Sequence, residues 1–146
     1  MVRGALEKLV IKEFRPEYVP LAKALEKDCG LPSWADSYNE ELSFAAFCEN
    51  ELAGFIFGSV VLDEATVNTI ACKEKFRHHG IGSMLFESFK ERAVLLGAAT
   101  VLLEVRQSNI PARSFYKKHG FADVGLRKNY YKNPNENAVL MTLYLR

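Results

Sequence analysis

The run Arg77-His78-His79-Gly80-Ile81-Gly82-Ser83 sets a cation, two histidines and two glycines just ahead of an amphipathic stretch. Glycine does little for a helix, costing about 1 kcal/mol per position against alanine. It does let backbone N–H groups approach a bulky anion. A helix N-terminus adds partial positive charge at that point, and Arg77, His78 and His79 add side-chain donors. The pattern fits a phosphate or pyrophosphate cradle; an ordinary strand-to-helix turn is the other reading it allows. No Gly-Lys-Ser/Thr follows, so this is not a P-loop. Leu85 stands where a dinucleotide fingerprint needs its third glycine.

Glu104 is the one charged residue inside the apolar run Thr100–Val105 (TVLLEV). A carboxylate there is costly unless it is paired, hydrated or held at the mouth of a cleft. A solvent-facing position or a salt bridge to Arg106 or a lysine accounts for it as well as a chemical task does. Cys72 invites a nucleophile reading, with His78 and His79 nearby in sequence, but Cys–His catalysis depends on placement in space. The histidines lack metal-ligand spacing, since His78 and His79 are adjacent and point apart, and no metal is expected. Cys29, Cys48 and Cys72 form no CxxC pair and read as free thiols.

These residues need a scaffold. Leu9–Phe14 reads as a first strand, and Glu17–Cys29 as a helix ended by Gly30. A loop holding Pro32, Trp34 and Asp36 leads to a short second helix before Leu42. Ser43–Cys48 and Leu52–Leu62 form a hairpin about Glu49-Asn50-Glu51, and Ala65–Cys72 is a further strand. Ile81, Leu85, Phe89, Ala93 and Leu96 fall on one helix face, stopped by Gly97. The apolar run Thr100–Val105 suits a strand covered on both faces. Ser108-Asn109 before Pro111 starts a helix to about Lys118, with Gly120 as its stop. Phe121–Leu126 and Ala138–Leu145 complete the strands. The order predicts an α/β or α+β mixed sheet with at least one parallel βαβ crossover.

The chain has 146 residues, 49% hydrophobic and 25% charged. That is one globular domain over residues 1–146, large enough to fold without disulfides or metal. Lys+Arg 19 against Asp+Glu 18 leaves a charge of +1, which argues against a dominant nucleic-acid or membrane role. No apolar run approaches the roughly 20 residues of a membrane span. The N-terminus lacks a signal-peptide core, and a cytoplasmic location is expected.

Arg77-His78-His79-Gly80-Ile81-Gly82 resembles the acetyl-CoA pyrophosphate loop of the GNAT acyltransferases, Arg/Gln-x-x-Gly-x-Gly/Ala. Leu103–Asn109 (LEVRQSN), Phe115–Phe121 (FYKKHGF) and Arg127–Tyr131 (RKNYY) resemble the RimI branch, which contains the ribosomal-protein-alanine N-acetyltransferases. Val61–Thr66 (VLDEAT) and Pro32-Ser33-Trp34 are similar to it too. The resemblance implies a central twisted mixed sheet flanked by helices and transfer of acetyl from acetyl-CoA to an α-amine. The acceptor it implies is the N-terminal alanine of a small-subunit ribosomal protein, with no direct nucleic-acid or membrane partner. Lysine or small-amine acetylation, or acyl-CoA binding without turnover, are the alternatives.

The same resemblance implies roles for single residues. Glu104 becomes the general base and Tyr116 the acid that protonates the thiolate, although Tyr116 also reads as a core tyrosine. Ile70, Ala71 and Cys72 line the pantetheine arm through main-chain groups, so transfer is direct, without an acetyl-cysteine. Arg77, His78, His79, Gly80, Ile81, Gly82 and Ser83 hold the pyrophosphate. Asn109 contacts the cofactor, a role that a helix cap can share. Trp34 and Tyr38, with Tyr130 and Tyr131 between the last two strands, flank the acceptor entrance; packing on neighbouring loops explains such aromatics equally. Chains of this branch usually carry an acidic pair after the tyrosines, where this one has Glu136-Asn137. If the second acid meets a basic substrate residue, Asn137 alters selectivity.

Overall fold

The computed structural model describes residues 8–146, so most of the N-terminal segment read above lies outside the described residues. The elements are β1 (Leu9–Glu13), α1 (Val19–Cys29), β2 (Ser43–Cys48), β3 (Glu51–Val61), β4 (Glu64–Cys72), α2 (Ile81–Leu95), β5 (Thr100–Arg106), α3 (Ile110–Lys118), β6 (Ala122–Tyr131) and β7 (Glu136–Tyr144). The strands form one sheet in the order β1-β2-β3-β4-β5-β7-β6. Only β4 and β5 run parallel, joined across α2; every other pair is antiparallel. The expected mixed sheet and crossover are therefore present.

α2 buries Ile81, Leu85, Phe86, Phe89 and Ala93, the stripe that a 3.6-residue period places on one face. They join Ile56, Val101, Leu103, Val105, Tyr116 and Met141 in the larger core. α1 covers the opposite face of the first strands, where Ala22 and Leu25 meet Phe47, Phe55 and Phe57. Successive β3 residues feed both cores, so residues 52–58 are buried without a break. Gly58 lets α2 lie close. A Cβ there would stand 2.3 Å from the Phe89 ring and 2.4 Å from the Thr66 carbonyl.

Two irregularities shape the site. Phe57 pairs with Thr69 but Gly58 pairs with Val67, which leaves Asn68 as a bulge in β4. In addition, β4 meets β5 at only three pairs, Glu64–Thr100, Ala65–Val101 and Thr66–Leu102. Beyond them the strands diverge. From Val67 to Cys72, β4 keeps a strand partner on its β3 side alone.

Several expectations need correction. The second helix is two 3-10 turns, Ala35–Ser37 and Glu40–Leu42. β5 alternates: Val101, Leu103 and Val105 are buried, while Glu104 is open on the other face. It is not covered on both faces, because α1 reaches only the first strands. Tyr130 and Tyr131 are the last residues of β6, not a connection, and β7 starts at Glu136. Asn129 at φ 52 interrupts β6 without ending it.

Candidate active site

The turn expected to form a cradle is shaped by main chain. Gly80 is the N-cap of α2 at φ 84, and no side chain caps this end. The first helical amides thus keep their donors free of intrahelical partners. His78 also takes a left-handed turn, at φ 65, and both histidines are exposed. Arg77 and Ser83, two of the side chains expected to help, are turned to other partners. Arg77 Nε donates to the Cys72 carbonyl at 3.1 Å, and its Nη2 lies 3.5 Å from Cys29 Sγ. Ser83 Oγ shares a 2.9 Å hydrogen bond with His119 Nε2. Burial pulls the His119 imidazole below its usual range. A Cβ on Gly82 would sit 3.3 Å from the Phe115 ring, so α2 and α3 close on each other beside the turn.

Beneath α2 lies the diverging edge of β4. Ala71 is buried against the α1 side, while Ile70 and Cys72 border the larger core. Burial raises the Cys72 thiol to about 11, so it stays protonated at neutral pH and is a poor nucleophile. Asn109 Oδ1 accepts from Ala112 N at 3.2 Å and caps α3.

Glu104 projects from the open face of β5, its side chain 31% exposed. Its ion-pair partner is Arg127, at 3.4 Å; Arg106 pairs instead with Glu136, at 3.3 Å. A desolvated Glu104 is therefore not what the fold provides. The Arg127 guanidinium also lies over the Tyr130 ring, 5.0 Å from its centroid. Hydrogen bonding to Glu104, then its charge, raises the Tyr130 phenol. Tyr131 is raised first by burial and then by Glu104. Arg106 stacks 4.5 Å over the Tyr131 ring and donates to the carbonyls of Lys132 and Pro134, at 3.0 and 3.1 Å. It thereby pins the turn between β6 and β7.

Tyr116 comes from the other face of β5, off α3. It is 7% exposed and packs edge-on against Phe115 and Phe121. Burial, then the neighbouring Tyr131, pushes its phenol far above the usual range. Tyr131 thus feels Glu104 on one side and acts on Tyr116 on the other.

Trp34 and Tyr38 are half-buried on the α1 side. Tyr38 packs edge-on against Phe14 at 4.7 Å and stacks near Phe57 at 6.1 Å. Their loop is anchored by Glu26, a residue that sequence reasoning passed over. Glu26 is 2% exposed, and its Oε2 accepts from the amides of Trp34 (2.7 Å) and Ala35 (3.0 Å). The available signal was an acidic residue four positions after Ala22, on the buried face of α1. Arg106, Arg127 and Asn137 were likewise missed as organisers of the site, and no spacing rule points to them. Among the described residues, no three His, Cys, Asp or Glu side chains converge as a metal site would need.

The sequence profile of the Acetyltransferase (GNAT) family matches residues 5–121. The ribosomal protein bS18-alanine N-acetyltransferase of Haemophilus influenzae is 42% identical over 99 residues, covering 66% of this chain and 67% of that protein. The crystal structure of the ribosomal-protein-S18-alanine N-acetyltransferase from Escherichia coli superposes with a TM-score of 0.86 at 31% identity, covering 94% of both chains. Ard1 from Thermoplasma volcanium gives 0.85 at 27% identity over 95% of this chain and 99% of that one.

Proposed function

Since the chain belongs to the GNAT acetyltransferase family, we propose that it transfers acetyl from acetyl-CoA to a protein N-terminus, with the N-terminal alanine of ribosomal protein bS18 as acceptor. The observation that carries this reading is the parting of β4 from β5 below the uncapped N-terminus of α2. It offers main-chain groups along an extended arm and amides at the end of that arm. Those are the needs of pantetheine and pyrophosphate, and the glycines keep the approach open. The bS18 enzymes of H. influenzae and E. coli support the choice of acceptor.

Acetyl-CoA supplies an activated acyl group and a thiolate that can leave. Glu104 takes a proton from the incoming α-ammonium, whose pKa near 8 lies roughly two units below that of lysine. Arg127 must yield or share the carboxylate as the ammonium arrives. A backbone N–H of the Val67–Cys72 segment stabilises charge on the carbonyl oxygen. Tyr116 gives its proton to the departing sulfur as the new C–N bond forms. A phenol holds its proton at neutral pH in any case, and burial holds this one more firmly. Tyr130 and Tyr131, and across the same face Trp34 and Tyr38, wall the acceptor. Gly80 shapes the cradle, assisted by His78, His79, Ile81 and Gly82, and Asn109 steadies α3 beside it.

The test is thiol release from acetyl-CoA with an alanine-initiated bS18 peptide and with a lysine peptide blocked at its N-terminus. Release with the first alone is expected. Glu104→Gln should lower turnover by roughly 10²–10⁴ and leave acetyl-CoA affinity intact. Release with the lysine peptide alone overturns the acceptor, and tight binding without release from any amine overturns the reaction.

A further inference from the structure

We propose that Asn137 is a positioning residue for acceptor recognition: its side-chain amide clamps a wide bulge in β6 and so sets Arg127, Tyr130 and Tyr131 around Glu104. The proposal deepens the acetyltransferase reading and rests on it. In the β6–β7 ladder Arg127 pairs with Ala138 and Tyr131 pairs with Glu136. Lys128, Asn129 and Tyr130 therefore stand opposite Asn137 alone. Such a bulge removes ladder hydrogen bonds and leaves backbone donors to be satisfied in another way. Asn137 does this. Its Oδ1 accepts from the Asn129 amide at 2.9 Å, at the residue with φ 52. Its Nδ2 donates to Gln107 Oε1 at 3.2 Å, and Gln107 N donates back to the Asn137 carbonyl at 3.0 Å. One side chain thus ties the bulge of β6 to the residue that follows β5.

What the bulge carries gives the clamp its purpose. Arg127, just before it, holds Glu104 at 3.4 Å and covers the Tyr130 ring. Tyr131, just after it, lies under Arg106. Asn137 is committed to these internal bonds, which gives its side chain a structural route to the altered selectivity expected of this position. It sets the shape of the acceptor wall.

Peptide kinetics, acetyl-CoA titration and amide hydrogen exchange together test the clamp. Asn137→Ala should raise the KM for the bS18 peptide about five- to tenfold, the worth of about one net hydrogen bond. The acetyl-CoA Kd should stay within twofold, and exchange at the Asn129 amide should quicken at least fivefold. Asn137→Asp should restore both, because it keeps an oxygen for the Asn129 amide while Gln107 turns its own amide to donate. Gln107→Ala, at an exposed site, should raise the peptide KM about threefold and is decisive should Asn137→Ala not fold. An unchanged peptide KM in these variants, or an acetyl-CoA Kd that rises in step with it, overturns the proposal. So does an Asn137→Asp protein no better than alanine. Exchange at Asn129 needs no turnover: unchanged protection refutes the clamp even where the peptide is not the acceptor, whereas a wild-type chain that leaves every α-amine untouched refutes only the reaction.

Discussion

Replacing Tyr116 with phenylalanine takes one oxygen from the proposed site and leaves the ring contacts with Phe115 and Phe121 in place. Two consequences differ in size, and the difference is the test. If the phenol protonates the leaving thiolate, kcat should fall roughly 10²–10⁴, or about 3–5 kcal/mol in the barrier. Stability at pH 7 should move by less than about 1 kcal/mol, the net value of a hydrogen bond. The second consequence appears at alkaline pH. An unfolded tyrosine loses its proton near pH 10. In the fold, burial and then Tyr131 hold the Tyr116 proton to higher pH. Above pH 10 the unfolded state therefore binds fewer protons than the native state, and stability falls as pH rises. The loss from this one group is about 1.4 kcal/mol per pH unit until its native pKa is reached. Urea melts at pH 9 and pH 11 should show the wild type losing about 1.4 kcal/mol more than Tyr116→Phe. Full activity in the variant removes the acid role. An equal alkaline loss in both proteins removes the account of its environment.

Gly80→Ala should cost about 1–2 kcal/mol, since φ 84 disfavours any Cβ although the space around it is open. It should also weaken acetyl-CoA binding as the helix end shifts. Gly30→Ala, at φ 66 in equally open space, should cost similar stability and leave acetyl-CoA binding alone. Equal affinity in the two variants, by calorimetry, contradicts the cradle. Glu26→Ala should lose about 2 kcal/mol by leaving the Trp34 and Ala35 amides without their acceptor, with Glu26→Gln recovering part of it. A urea midpoint unchanged in Glu26→Ala disproves that anchor.

Periodicity located α2 and the glycines before it because one long helix face and two helix-poor residues are local signals. The crossover followed from strand–helix–strand order. Glu104 stood out as a charge in an apolar run, but its partner did not. Arg127 reaches it across β7, because Arg127 and Arg106 both pair with Ala138, and strand order of that kind is not written in a local period. The bulge in β6 hid the true place of Tyr130 and Tyr131: Lys128-Asn129 has the composition of a turn, yet Asn137 lets the strand continue through it. β5 looked covered on both faces because Leu102 adds an apolar residue to its outer side. Which helix lies over that side is a tertiary fact. Asn109 was legible as a cap because its partner is three residues away.

β6 forms one border of the sheet, with β7 as its strand neighbour, and nearly all its residues face water. A strand so placed carries its side chains at little consequence to the interior. On the proposed reading the donor is met mainly by peptide groups, which most side-chain substitutions leave in place. On the same reading the acceptor is met by side chains, among them Tyr130 and Tyr131 on this outlying ribbon. Evolution can therefore retarget such a scaffold from one polypeptide to another by rewriting its margin, without renegotiating how it holds its fuel.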